Sequence, residues 1–265
     1  MLIVGERINA SRKSIAMAME AHDTDLIKEE ALRQKEAGAH LIDVNAGVFV
    51  GKEAGYLKWL IQTIQESGEI PLCIDSPDAS ALAEGLSIHK GRAMVNSITD
   101  EADRYKKMIP IIKEFRPQVA ALCMTDGRMP MSSEERFQIA SRLIEKLIHD
   151  GISPEDIFLD PLVMPISADP NSGIAVLETL ERILTSFPSV NTICGLSNIS
   201  YGLPSRRLIN QIFLVAAMVR GLKAVILDPL DKRIMANLIT TQALLGRDEY
   251  CSEFIAAYRA GKLDH

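Results

Sequence analysis

No stretch of this 265-residue chain stays apolar long enough to cross a bilayer. The longest run, Ile212 to Val219, falls far short of the ~20 residues a spanning helix needs. Basic runs are equally scarce: Lys and Arg come at most in pairs such as Arg12-Lys13, Lys106-Lys107 and Arg206-Arg207. With a net charge of −6 and a pI near 5.5, no long-range field favours nucleic acid or an anionic membrane. The five histidines (His22, His40, His89, His149, His265) show no paired spacing, so no protein-built metal site is expected. The four cysteines (Cys73, Cys123, Cys194, Cys251) lie far apart and three fall in apolar runs. They read as reduced core thiols of a cytoplasmic protein. A basic leader with a cleavage site is also missing, which agrees with that location. The first turn, Gly5-Glu6-Arg7-Ile8-Asn9, is not a GxGxxG, which argues against an open dinucleotide-binding sheet.

What the chain does have is a recurring polar stop. Seven short apolar runs end on a carboxylate or a primary amide: Ile3-Val4-Gly5-Glu6, Leu41-Ile42-Asp43, Cys73-Ile74-Asp75, Met94-Val95-Asn96, Phe158-Leu159-Asp160, Leu196-Ser197-Asn198 and Ile226-Leu227-Asp228. An eighth run, Val119 to Met124, has the same strand character without the stop. A buried strand gains nothing from a charged end, but a ring of parallel strands opening onto one pocket does.

Amphipathic helical stretches separate the runs. Ser132-Ser133-Glu134-Glu135 is a capping-box pattern opening a helix to Asp150, with Ala140, Leu143, Ile144, Leu147 and Ile148 on one face and Gly151 as the stop. A second helix covers roughly 101 to 115 around Met108, Ile111, Ile112 and Phe115, with a bend expected at Pro110. A third follows Asp228 and carries Ile234, Leu238, Thr241 and Leu245. Eight strand–helix units in 265 residues give about 33 residues each, which predicts a (β/α)8 TIM barrel of the α/β class. No linker divides the chain, so 1–265 reads as one domain, with a terminal helix at about 248–262.

The rim chemistry suits a polar heterocycle. Asp43, Asp75, Asp160 and Asp228 accept when ionised, while Asn45, Asn96 and Asn198 donate and accept. One Asp takes two parallel N–H bonds from a 2-amino-pyrimidinone edge such as a pterin presents, and the amides serve the mixed donor and acceptor atoms. Taken singly, such residues also have plain structural uses. Asp43 or Asn45 could hold the loop before Gly47, and Asp228, next to Pro229, could N-cap the last barrel helix.

The runs from Ile3 to Asn9, Ile42 to Asn45, Leu72 to Ser76, Met94 to Ser97, Asp160 to Leu162, Gly195 to Ser200 and Arg206 to Asn210 resemble the motifs of the methyltetrahydrofolate:corrinoid protein methyltransferases. These are pterin-binding barrels akin to the folate module of cobalamin-dependent methionine synthase. The likeness spans about residues 1 to 260, and the run from Gly195 to Ser200 is its most specific part. It implies methyl transfer between 5-methyltetrahydrofolate and the Co(I) of a corrinoid (cobalamin) carried by a partner protein that docks at the barrel mouth, in either direction. It implies that Asp75, Asn96, Asp160 and Gly195 hold the pterin and that Asn198 meets the methyl-bearing nitrogen. Arg206 or Arg207 would stand beside the folate, with Glu6, Asp43, Asn45 and Asp228 in less direct places. No resident metal is implied, and a homodimer is. The stretch from Tyr201 to Ser205 departs from the expected pattern. A dihydropteroate synthase-like enzyme and a non-catalytic folate-binding module are the alternatives. The first needs cations for a diphosphate, yet no Lys or Arg lies between Asp160 and Arg182.

Overall fold

The computed structural model describes residues 1–263; Asp264 and His265, the last of the five histidines, lie outside the described residues. In chain order the elements are β1 (Leu2–Asn9), α1 (Lys13–Ala21), α2 (Thr24–Glu36), β2 (Leu41–Asn45), α3 (Glu53–Glu66), β3 (Leu72–Asp75), α4 (Ala79–Ile88), β4 (Met94–Thr99) and α5 (Ala102–Phe115). They continue as β5 (Gln118–Leu122), α6 (Ser133–His149), β6 (Ile157–Asp160), α7 (Ser172–Ser186), β7 (Asn191–Thr192), α8 (Arg206–Val219), β8 (Ala224–Leu227), α9 (Lys232–Leu244) and α10 (Ser252–Arg259). The eight strands pair in parallel in the order β7-β6-β5-β4-β3-β2-β1-β8. The ends of that sheet meet where Ile226 N donates to Cys194 O at 2.9 Å and Gly195 bridges to Ile226, which closes the barrel. Among the described residues, no helix is long and apolar enough to cross a membrane.

Two apolar regions follow from strand alternation. Outward residues such as Ile42, Ile74, Val95, Val119, Leu159 and Val225 pack with the helices in one large core. A separate cluster fills the barrel: Val4, Leu41, Cys73, Met94, Ala120, Phe158, Ile193, Ala224 and Ile226. This plug is the floor on which the site rests.

Local chemistry explains the helix limits. Ser132 caps α6 with the reciprocal Glu135 bond, as the sequence pattern implies. Ala140, Leu143, Ile144 and Leu147 are buried, but Ile148, assigned to the same face, is 40% exposed, because it lies one position past the buried stripe. α5 continues through Pro110. α9 is capped by Asp231, whose carboxylate accepts from Arg233 N and Ile234 N, and not by Asp228. The terminal helix is shorter than the expected 248–262, since Tyr250 and Cys251 have positive φ and break the run. Cys73 lies in β3; Cys123 and Cys194 are buried just beyond β5 and β7, Cys251 is exposed, and all four are free.

One buried cation ties a helix to the site. Arg136 of α6 is fully buried; its Nε donates to Pro161 O at 3.0 Å and its Nη1 to Met131 O at 2.7 Å. The first bond fixes the chain just past Asp160. Replacing the guanidinium with an apolar chain of similar length leaves those carbonyls without donors. Arg136→Met should therefore lower unfolding free energy by about 3 kcal/mol, read from urea denaturation. An unchanged midpoint would show that these bonds carry no net stability.

Candidate functional site

Two residues beyond seven of the nine plug residues stands a polar group or a glycine. The pairs are Val4 and Glu6, Leu41 and Asp43, Cys73 and Asp75, Met94 and Asn96, Phe158 and Asp160, Ile193 and Gly195, and Ile226 and Asp228. The seven-stop pattern thus reflects parity as much as termination. β3 and β6 end on their acids, but β1, β2 and β4 run on to Asn9, Asn45 and Thr99. Register then sets the height. Asn9 pairs with Asn45, Asn45 with Asp75, and Asp75 with Asn96, giving one continuous row. Asn9 belongs to this row although its role was not evident from the sequence. Asp43 pairs instead with Cys73, one layer lower, and is only 3% exposed.

Within the row, contacts distinguish ligand-facing groups from supports. Asn45 Nδ2 donates to Asp75 Oδ2 at 2.8 Å while its Oδ1 accepts from Gly47 N at 3.0 Å, so this amide positions Asp75 and the following loop. Asp228 Oδ2 accepts from Arg7 Nη1 at 2.7 Å and its Oδ1 from Leu230 N at 3.0 Å; Arg7 also pairs with Glu30. Asp228 is therefore engaged in anchoring β1 to the β8 loop. Gly5 is required beneath this network, because a Cβ there would collide with Gln34 Oε1, which accepts from Arg7 N. β4 shifts register between Asn96 and Ile98, where the Asn96–Ser97 peptide is cis.

Asp160 Oδ1 accepts from Leu162 N at 2.8 Å, and Gly195 N–H also bonds its carboxyl. The expected seventh strand ending is different: β7 is short, and Leu196 to Ser200 form a 3-10 turn. The turn leaves Asn198 exposed and folds its amide over Gly195, where a Cβ would stand 3.2 Å from Asn198 Nδ2. Asp160, Gly195 and Asn198 are thereby brought together. Ser197 Oγ donates to Glu6 Oε2 at 3.1 Å, and Arg206 donates to Ser200 Oγ at 3.1 Å and to Ser197 O at 2.8 Å. Arg206 thus clamps the Asn198 turn. The Arg207 side chain is 87% exposed, with its Nε 3.7 Å from Asp231. A cavity of about 200 Å³ lies beside this turn, lined by Glu6, Ser197, Arg206, Arg207, Asn210 and Asp228 among others.

Two arginines act from outside the motifs. Arg104 donates to Ser97 O at 3.1 Å, to Ser76 O at 3.0 Å and to Pro77 O, holding the ends of β3 and β4 together. Arg136 does the same beyond β6. Each joins a nearby carbonyl to one more than twenty residues away, and the distant partner leaves no local signature.

Burial dominates the electrostatics. It pushes the Asp160 carboxyl up to about 7, against two backbone donors that lower it. It raises Asp75 to about 6, with Glu53 adding to the rise and Asn45 and Arg104 opposing it. Asp43 is raised by burial and then by the charge of Asp75, while the Cys73 thiol and Asn96 amide beside it pull the other way; its Oδ1 has no partner. Glu6 is raised chiefly by burial, opposed first by Ser197. Carboxyls so placed favour a ligand that brings N–H donors. Among the described residues, no group of three or more His, Cys, Asp or Glu side chains is arranged to hold a metal ion.

A closed (β/α)8 barrel with a layer of half-buried acids and amides over an apolar plug is the architecture of a heterocycle-binding enzyme, and comparison with known proteins narrows the class. The family model described as "Pterin binding enzyme" matches residues 5–228. A methylcorrinoid:tetrahydrofolate methyltransferase of Eubacterium limosum is 33% identical over 265 residues, covering 99% of this chain and 98% of its own. The methionine synthase of Mycobacterium tuberculosis is 30% identical over 239 residues, 85% of this chain but 20% of that much longer protein. Among solved structures, a dihydropteroate synthase from Clostridium difficile superposes with a TM-score of 0.75 at 21% identity, covering 92% of this chain and 96% of that one. A Xanthomonas albilineans dihydropteroate synthase gives 0.75 at 17%, covering 92% and 94%. These two likenesses are of fold. The chain belongs to the pterin binding enzyme family.

The raised carboxyl makes a testable link to pH. Its folded-state value near 7 lies above the usual carboxylate range. Its contribution to stability is therefore full below about pH 4 and is lost as pH rises through 7. Asp160→Asn should remove that loss, so its stability advantage over the native protein should grow from pH 5 to 8. The slope should approach about 1.4 kcal/mol per pH unit at most. Urea melts at each pH read this difference, and a pH-independent gap would contradict the burial effect.

Proposed function

We propose that this protein moves a methyl group between N5 of tetrahydrofolate and the cobalt of a corrinoid carried by a partner protein. The observation that carries the reading is the end-to-end likeness to a relative named for that transfer. The site chemistry supports it. In this reading Asp160 takes the amino-pyrimidinone edge, Asp75 and Asn96 meet the remaining polar atoms of the pterin, and Gly195 leaves room for the ring. Asn45, Asp43, Glu6 and Asp228 maintain the layer, Arg206 fixes the Asn198 turn, and Arg207 faces outward. The dihydropteroate synthase alternative is disfavoured because the turn after β7 reads Ser197-Asn198 and carries no cation of its own, and Arg206 is committed to that turn's atoms.

In the forward direction the Co(I) electron pair forms the cobalt–methyl bond as the methyl–N5 bond breaks, and the pair from that bond stays on N5. A ring nitrogen leaving as an anion is prohibitively poor, so N5 must gain a proton by the transition state. An amide cannot supply that proton, but its oxygen accepts from the protonated nitrogen and holds it in the reactive pose. We assign this task to Asn198, which is exposed and seated over Gly195, with solvent supplying the proton. In reverse, the N5 lone pair attacks the methyl group and cobalt leaves as Co(I), with the same contacts.

The corrinoid protein must reach the strands' C-terminal end. Exposed Val48 and Val50 after β2, Met129 and Met131 after β5, and Tyr201 after β7 offer an apolar docking rim. Exposed Ile212 and Val219 on α8, with Leu244 at the end of α9, suit a homodimer contact. The location we infer is the cytoplasm, where the buried free thiols stay reduced.

Loss of Co(I) cobalamin absorbance on mixing with 5-methyltetrahydrofolate and the protein tests the reading directly. Asn198→Ala should slow that transfer roughly a hundredfold, about 3 kcal/mol, with pterin binding retained. A rate within twofold of native would remove Asn198 from the mechanism. Binding without any transfer would identify a folate-binding module instead.

A further inference from the structure

Among the described residues, none hydrogen-bonds the side-chain amide of Asn198. Its place is therefore set by the backbone of the Leu196–Ser200 turn. Arg206 holds that turn from the α8 side. The loop after β6 holds it from the other: Ile166 N donates to Ile199 O at 3.1 Å, and Ser167 Oγ donates to Tyr201 O at 2.7 Å. The residues that follow Asn198 thus hang on this loop. The loop itself is stiff. Pro161, Pro165 and Pro170 restrict its backbone, and Pro165 O accepts from Ala168 N at 3.0 Å and from Asp169 N at 3.2 Å. Arg136 fixes its first carbonyl, that of Pro161. Its middle is fixed by Ser172, the first residue of α7, which is fully buried and donates from Oγ to Met164 O at 2.7 Å. The Ser172 hydroxyl accepts from no N–H of α7, so it serves the loop and not the helix.

We propose that Ser172 is a positioning residue for the methyl transfer: its buried hydroxyl places the stretch from Met164 to Ser167, and that stretch places Asn198. This role rests on the reading of Asn198 given above. A stiff loop passes a displacement at Met164 on to the turn, and a shift of about 1 Å in a group that meets the reacting atom can cost up to a hundredfold in rate. The two ends of the loop have separate tasks. Arg136 steadies the end beside Asp160, and Ser172 steadies the part that carries the Asn198 turn. Loss of the Ser172 hydroxyl should therefore disturb the chemical step more than pterin binding.

The test measures methyl transfer from 5-methyltetrahydrofolate to Co(I) cobalamin by the native protein, Ser172→Ala, Asn198→Ala and the double variant. Ser172→Ala should lower kcat about tenfold and leave the folate KM within about twofold. In the Asn198→Ala background the same change should cost less than about twofold, because the group it positions is gone. Ser167→Ala, at the exposed end of the same chain of bonds, should lower kcat about threefold with the same dependence on Asn198. It carries the test if Ser172→Ala fails to fold. A native kcat in the variant so tested, a loss confined to KM, or equal losses with and without Asn198 would overturn the proposal. If Asn198→Ala alone keeps a rate within twofold of native, the role of Asn198 is wrong and the positioning role falls with it.

Discussion

A carboxyl enclosed by a strand wall is tolerable only if something donates to it, or if it holds its own proton. That constraint organises the mouth of this barrel. The apolar plug from Val4 to Ile226 seals the interior from below, and the next inward position on most strands carries an acid or amide. Asp75 and Asp160, pushed up to about 6 and 7 by burial, are poised at neutral pH between neutral and ionised. A ligand offering N–H donors supplies what the protein withholds. The same enclosure that weakens the free fold therefore favours binding.

The supporting shell consists of groups that serve other groups. Asn45 orients Asp75, Arg206 clamps the turn bearing Asn198, and Arg104 and Arg136 tie loop carbonyls beyond β3, β4 and β6. Asp228 and Arg7 join the ends of the neighbouring strands β1 and β8. Such bonds fix rotamers before a ligand arrives, which is what a site needs when its chemistry depends on one well-placed amide.

Much of this was legible in the residues. Strand–helix alternation indicated the barrel, and the Ser132–Glu135 pattern located the start of α6, because caps act through local bonds. Strand alternation placed Asp43 and Asn45 on one face, but only their pairing with Cys73 and Asp75 put the first below the second. Which acid stands at the mouth is a property of register, and register joins segments about thirty residues apart. Asp228 looked like a helix cap because Pro229 follows it; Arg7, far away in sequence, takes it instead. The turn holding Asn198 read as a strand end because its composition is apolar, yet it coils after a two-residue strand. Arg104 and Arg136 gave no signal, since an arginine near a helix start looks the same whether it faces water or three carbonyls.

The most direct test of the central claim is a crystal structure of the protein with 5-methyltetrahydrofolate bound. The account requires the amino-pyrimidinone edge within hydrogen-bond distance of Asp160, with Asp75 and Asn96 on the same ring and Asn198 turned toward N5. A pterin seated elsewhere, or one that leaves Asp160 without a ligand donor, would contradict it.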